Sequence, residues 1–188
     1  EKTNKPLATK LARNLKRSLD KDGLTKIYTE QFEDMLNRGV LIKLSDEACR
    51  RWEADHGPVN YVSHHAVLKD TSATTKCRSV CNSSLSHNGT SLNSILPKGP
   101  SSISNLLHVI MRFRSKPFVL VADLKKAYNT IKTSLLDCHL RRLLWYDSND
   151  IEGNDPQLQT YGMTTVAFGD TPAPVSYTHL TLPTNPEV

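Results

Sequence analysis

Three groups of residues have the types and spacing to do chemistry. The first is FVLVADLKKAY, residues 118–128, where an apolar run after Pro117 ends on Asp123 and an aromatic ring, Tyr128, follows five residues later. Four β-prone residues and an alanine before an acid read as a buried strand that delivers Asp123 to its open end. The plainer alternative is that Asp123 caps the following turn and Tyr128 packs in the core. The second group is Lys69 and Arg78, on either side of the polar stretch DTSATT. An Arg there offers planar bidentate contact to an anion and a Lys a point charge, although a solvated strand face is the usual fate of both. The third group is weaker. His64 and His65 with Cys77 and Cys81 lack the second well-spaced pair that a tetrahedral zinc site needs. Cys138 beside Asp137 and His139 is only a sequence neighbourhood, whereas a thiol nucleophile needs its base adjacent in space.

These residues need elements to hold them. Pro6–Leu19 reads as a basic amphipathic helix. Leu24–Arg38 reads as a second, with Leu24, Ile27, Tyr28, Phe32, Met35 and Leu36 on one stripe and Gly39 as its stop. YVSHHAVLK and KCRSVCN form a hairpin around the hydroxyl-rich tip. The turn-rich SHNGTSLNSILPKGPSS leads into a helix from about Ser102 to Arg114, with Ile103, Leu106, Leu107 and Ile110 at helical spacing. LRRLLWYD and TYGMTTVAF flank the polar loop SNDIEGNDPQLQ as another hairpin, followed by the sharp GDTPAP. Trp52 and Trp145 read as packing residues. Helices precede and interrupt strands without regular βαβ alternation, so the expected class is α+β.

The 188 residues are about one domain long. A net charge of +5, concentrated near the N-terminus, tilts the expected partners toward polyanions. Four irregularly spaced cysteines, with no signal peptide or long apolar segment, read as reduced thiols in an intracellular protein with no membrane association. The sequons at Asn82 and Asn88 are then chance matches. The first residue, Glu1, and the atypical last residues suggest a fragment.

In this order, YVSHHAVLKDTSATTKCRSVCNSS, SLNSILPKGPSSISNLLHVIMRFR, VADLKKAYNTIK, LRRLLWYDS and TVAFGDTPA resemble the fingers and early palm of reverse transcriptases from Pao/BEL-type retrotransposons. The similarity runs from about Leu24 to Ala173. It implies a partial right-hand polymerase with an incomplete antiparallel palm sheet. Residues 1–23 would be a basic helix and linker, 24–117 a fingers-like region, 118–174 the early palm, and 175–188 a non-native tail. VSYTHLTLPTNPEV resembles a translated sequencing-adapter artefact.

The resemblance assigns roles. Asp123, with the Leu124 backbone carbonyl, would bind two Mg²⁺ ions that activate a primer 3′-hydroxyl and stabilise departing pyrophosphate. Tyr128 falls at the aromatic gate that leaves no room for a 2′-hydroxyl. Arg78 and Lys69 would hold the incoming triphosphate, with Lys76 an alternative to Lys69; Arg78 precedes Asn82 by four residues, where many members of the family carry Asp. Phe168 and Gly169 would lie against the template base and the incoming nucleotide, glycine serving where backbone approaches a ligand closely. The implied partners are an RNA or DNA template, a primer and deoxynucleotides. The parent would be a polyprotein with protease, RNase H and integrase regions, in a cytoplasmic particle. Asp123 alone cannot hold two metals without the family's Tyr-x-Asp-Asp carboxylates, so the fragment by itself is expected to be inactive. Two other readings stay open: a non-catalytic nucleic-acid-binding protein derived from such an element, and a plain α+β interaction domain.

Overall fold

Two antiparallel sheets share one aromatic core beneath a pair of helices. The computed structural model describes residues 3–68, 77–100, 105–120 and 126–173. Helix α1 (Lys5–Lys21) has Pro6 in its first turn, where a missing N–H costs no intrahelical bond. The buried Asn4 ties that end down, its amide donating to the Tyr61 carbonyl at 2.9 Å and accepting the Tyr61 N–H at 2.6 Å. Helix α2 (Thr25–Asn37) stops as expected at Gly39, whose φ of +66° lets the Val40 N–H close onto the Met35 carbonyl at 2.8 Å.

The chain then enters β1 (Leu41–Leu44) and α3 (Asp46–His56). Next come β2 (Ser63–Leu68) and β3 (Cys77–Asn82), the short helix α4 (Leu92–Ile95) and α5 (Leu106–Arg114). Two 3-10 segments, Ala127–Thr130 and Leu135–Arg141, lead to β4 (Arg142–Tyr146) and β5 (Leu158–Met163). Both expected hairpins form: β2 pairs with β3 and β4 with β5, while β1 adds to the far side of β5 in the order β1-β5-β4. A parallel bridge from Tyr61 to Arg142 joins the sheets, and the Val62 N–H donates to the Arg142 carbonyl at 2.8 Å. The class is α+β, as expected.

The α2 stripe enters the core through Tyr28, Phe32 and Met35; Ile27, assigned to the same stripe, is exposed because it lies at the stripe's edge. Phe32 packs against Trp145 and Tyr161 at centroid distances of 5.7 and 5.8 Å, and Tyr28 meets Trp145 edge-on at 4.9 Å. Trp145 is fully buried, a packing residue as expected. The four cysteines are buried and unpaired.

Two expectations need correction. Phe118–Leu120, the described part of the expected opening strand, pairs with no other strand among the described residues; Phe118 is 91 % exposed and Leu120 98 %. A strand is stable only with a hydrogen-bonded neighbour, and none of the described strands pairs with this run. Helix α5 forms, yet Leu106, Leu107 and Ile110 are exposed, so helical spacing here does not mark a buried face. Ile103 lies outside the described residues.

His64, on β2, is enclosed by Tyr28, Phe32 and Trp145. Its Nε2 lies 2.9 Å from the Leu144 carbonyl, which can only accept, so Nε2 carries the proton. Nδ1 then accepts from the Tyr28 hydroxyl at 2.6 Å, and Tyr28 accepts from Ser79 at 2.9 Å. Burial lowers the His64 pKa to about 4. The unfolded chain therefore binds this proton first, so the His64 contribution to stability is complete above about pH 6.5 and is lost as pH falls toward about 4. Its full size is about 3 kcal/mol. Between pH 7 and pH 4.5, urea denaturation of the wild type should lose about 2 kcal/mol more stability than His64→Gln, which offers a donor and an acceptor without titrating. Equal losses in both proteins would show that His64 is not the group responsible.

Candidate functional site

The site is a turn, Phe168-Gly169-Asp170, pinned from three directions. After β5 the chain passes beside residues 131–133. The Thr133 N–H donates to the Thr164 carbonyl at 2.9 Å, and the Val166 N–H donates to the Ile131 carbonyl at 3.0 Å. This pairing sets the 3-10 segment Ala127–Thr130 next to the turn, and the Tyr128 and Phe168 rings meet edge-on, 4.8 Å apart at 84°. The Tyr128 segment is anchored behind by Lys126, in the left-handed region at φ +57°, whose ammonium reaches Asp34 of α2 at 2.7 Å. Lys126 and Arg38 hold the Asp34 carboxyl below its ordinary pKa, against the opposing effect of burial.

The second anchor is β3. The Cys81 N–H donates to the Phe168 carbonyl at 3.0 Å. Gly169 sits over the Cys81 carbonyl at φ +111°, and a Cβ added there would lie 2.0 Å from that oxygen. Glycine is therefore required by the approach of two backbones, and the approach observed is to β3.

The third anchor is polar. Asp170 has a fully enclosed carboxylate: Oδ1 accepts from the Ser83 hydroxyl at 2.6 Å, and Oδ2 accepts from Arg141 Nε at 3.3 Å and from the Ala167 N–H at 3.1 Å. Asn93 of α4 clasps the outside of the turn, donating through Nδ2 to the Gly169 carbonyl at 2.8 Å and accepting the Thr171 N–H at 2.8 Å. Its own N–H donates to the Ser83 carbonyl at 2.9 Å, closing the ring. Burial, reinforced by the Asp170 charge, pushes the Cys81 thiol up to about 12, so it stays protonated.

Of the residues expected to do chemistry, Tyr128, Phe168 and Gly169 come together here. Arg78 is exposed on β3, opposite Val67, three residues and about 10 Å along the strand from Cys81. It shares its strand face with the exposed Asn82. Lys69, its alternative Lys76, Asp123 and Leu124 lie outside the described residues. Among the described residues no group of three or more His, Cys, Asp or Glu side chains could hold a metal ion, so that part of the chain does not by itself fit the expected Mg²⁺ pair.

Ser83, Asn93, Asp170 and Arg141 were missed as functional candidates, although all four lie in or beside the motif blocks already quoted. The signal available was an acid directly after Gly169 with an Asn in a helix-opening SLN. Cys138 and His139 do not pair as nucleophile and base. Burial raises the thiol pKa, and His139 Nδ1 already accepts from Arg142 at 2.9 Å.

The fold and site define an α+β chain in which two hairpins meet at a buried, carboxylate-centred turn. No protein-family model matches the sequence, and no curated protein matches it.

Two substitutions should loosen the turn by different routes. Gly169→Ala forces a Cβ onto a backbone oxygen at positive φ and should cost about 2–4 kcal/mol. Asp170→Ala leaves the largely buried Arg141 without its counter-charge and should cost about 3 kcal/mol or more. Urea denaturation reads both. A cost below about 0.5 kcal/mol, the range of ordinary surface substitutions, would mean the turn is not held as described.

Proposed function

We propose that this chain is the fingers and first palm segment of an RNA-directed DNA polymerase of the Pao/BEL retrotransposon type. The reaction is template-directed transfer of a nucleotide from a deoxynucleoside triphosphate to a primer 3′-hydroxyl. The observation that carries the reading is the edge-on contact of Tyr128 with Phe168, which joins two motifs forty residues apart in the sequence. A gate for the incoming sugar and a turn lying against the incoming nucleotide and its template base serve one nascent base pair, so a contact between Tyr128 and Phe168 supports placing the two motifs at one site.

In this reading Tyr128, braced by Phe168, excludes a 2′-hydroxyl, and Arg78 takes the triphosphate in a planar bidentate contact. The Asp170 and Asn93 bonds keep Gly169 rigid beside β3, so the hairpin carrying Arg78 and the palm turn move as one body. Asp123 and the Leu124 carbonyl belong to the metal-binding part of the reading. Divalent cations there would supply charge neutralisation at the transferred phosphate. Template and primer are the macromolecular partners, and the parent would be a polyprotein with protease, RNase H and integrase regions. Among the described residues no helix is long and apolar enough to cross a membrane.

The test is primer extension on an RNA template by the chain continued through its source reading frame beyond Ala173. Extension is expected, and Asp123→Asn should abolish it. Extension that survives Asp123→Asn would overturn the reading, and hybrid binding without any extension would favour a non-catalytic nucleic-acid-binding protein.

A further inference from the structure

The 24 Lys and Arg residues exceed the 19 Asp and Glu residues by five, and the whole excess lies on one helix. Helix α1 carries Lys5, Lys10, Arg13, Lys16, Arg17 and Lys21 against the single acid Asp20, which leaves 18 residues of each sign elsewhere in the chain. Two of the six cations are occupied: Lys16 pairs with Asp20 at 2.9 Å, and Lys5 lies over the Tyr61 ring at 5.7 Å. The other four, Lys10, Arg13, Arg17 and Lys21, are exposed and have no ion pair among the described residues.

Their spacing of three, four and four residues keeps them on one stripe, about 16 Å long at 1.5 Å per residue. The opposite face is fixed to the protein. Ala8 and Ala12 pack on Tyr61 and Leu144, and Leu19 enters the main core. Asn4 holds the first turn by its two bonds to Tyr61, so the stripe is a rigid row.

We propose that this stripe is a docking surface for the phosphate backbone of double-stranded nucleic acid, separate from the nucleotide site of the preceding reading. Three classes of polyanion would be attracted to it, and the structure favours one. An amphipathic helix binds a membrane by inserting its apolar face, but the apolar face of α1 is already buried against Tyr61 and Leu144. Single strands are held by aromatic platforms that stack on bases, and the exposed residues of α1, from Pro6 to Lys21, include no aromatic ring. A straight, pre-ordered row of cations suits a stiff polyanion whose charges are also fixed, which is a duplex. The neighbouring groove of about 580 Å³ is mixed in sign, with Asp20, Asp46 and Asp155 among its walls, so the backbone is expected to follow the outer stripe.

The inference does not depend on the polymerase reading. The experiment is fluorescence anisotropy of the 188-residue chain with a 20-base-pair duplex across salt concentrations. Replacing Lys10, Arg13, Arg17 and Lys21 with Gln should weaken binding about 100-fold at 100 mM salt and flatten the slope of log affinity against log salt by about three to four. Replacing Arg13 and Arg17 alone should produce about half that flattening. A control with the same charge change, at the exposed Lys26, Arg50, Lys98 and Lys132, should leave the slope nearly unchanged. Equal effects of the two quadruple variants would overturn the proposal in favour of net charge alone. Stripe-dependent binding to vesicles of anionic phospholipid that equals or exceeds duplex binding would overturn it in favour of a membrane surface. Because Arg78, Tyr128 and Asp123 are intact in every variant, these results stand whether or not the extended chain polymerises.

Discussion

The carboxylate of Asp170 is the constraint on which the site depends. A charge with no exposed surface must be matched by donors or it will not stay buried. Ser83, Arg141 and the Ala167 backbone supply them, one from just beyond β3, one from the segment entering β4 and one from the turn itself. Once these three are in place, the end of the β2–β3 hairpin and the end of the β4–β5 hairpin cannot separate without unpairing a buried ion. Gly169 then has to lie on the Cys81 carbonyl, and Phe168 has to face Tyr128.

A second buried charge joins the helices to the same framework. Arg142 opens β4 with its side chain fully enclosed; Glu53 of α3 supplies the counter-charge, and the Cys49 carbonyl accepts at 3.3 Å. Its neighbour Arg141, the last residue of the 3-10 segment before β4, points to Asp170, so two successive arginines hold α3 on one side and the turn on the other. The His64 ring does comparable work with no charge at all. It gives a proton to Leu144 and takes one from Tyr28, which joins β2, β4 and α2 inside an aromatic cage. Both devices are polar interactions in a dry interior, where partial satisfaction is costly and geometry is correspondingly definite.

What was legible in the sequence follows from the range of the forces involved. Both hairpins and helices α1 and α2 announce themselves by local alternation, helical periodicity and a stop glycine, signals that reside within each segment. The strand β1 and helix α3 were not anticipated, although Ser45 followed by Asp46 and Glu47 is a helix-opening pattern and Ser45 does cap the Ala48 N–H. Four residues, LIKL, are too short to show a period, and β1 exists because β5 offers it an edge. The run at 118–120 fails in the opposite way: its composition is ideal for a strand, but composition does not supply a partner. Tyr128, Phe168 and Gly169 were legible through motif spacing. Asp170, Asn93 and Arg141 were not, because their roles are long-range bonds spanning up to 87 residues.

Charge and rigidity are divided between different parts of the chain, and the division matches what the proposed nucleotide site and the proposed docking stripe would each need. In the polymerase reading we propose, discriminating one sugar from another would require side chains placed to a fraction of an ångström, and the turn is built from buried, hydrogen-bonded polar groups that leave little freedom. Attracting a polyanion needs only charge at the surface and tolerates imprecision, because the interaction falls off over a screening length of several ångströms. Lysines and arginines on an outer helical face meet that need without disturbing the interior. The alanines at positions 8 and 12 complete the arrangement. Their small side chains bring α1 close enough to Tyr61 and Leu144 to fix it, while every long cationic side chain except Lys5 and Lys16 is free to extend into solvent.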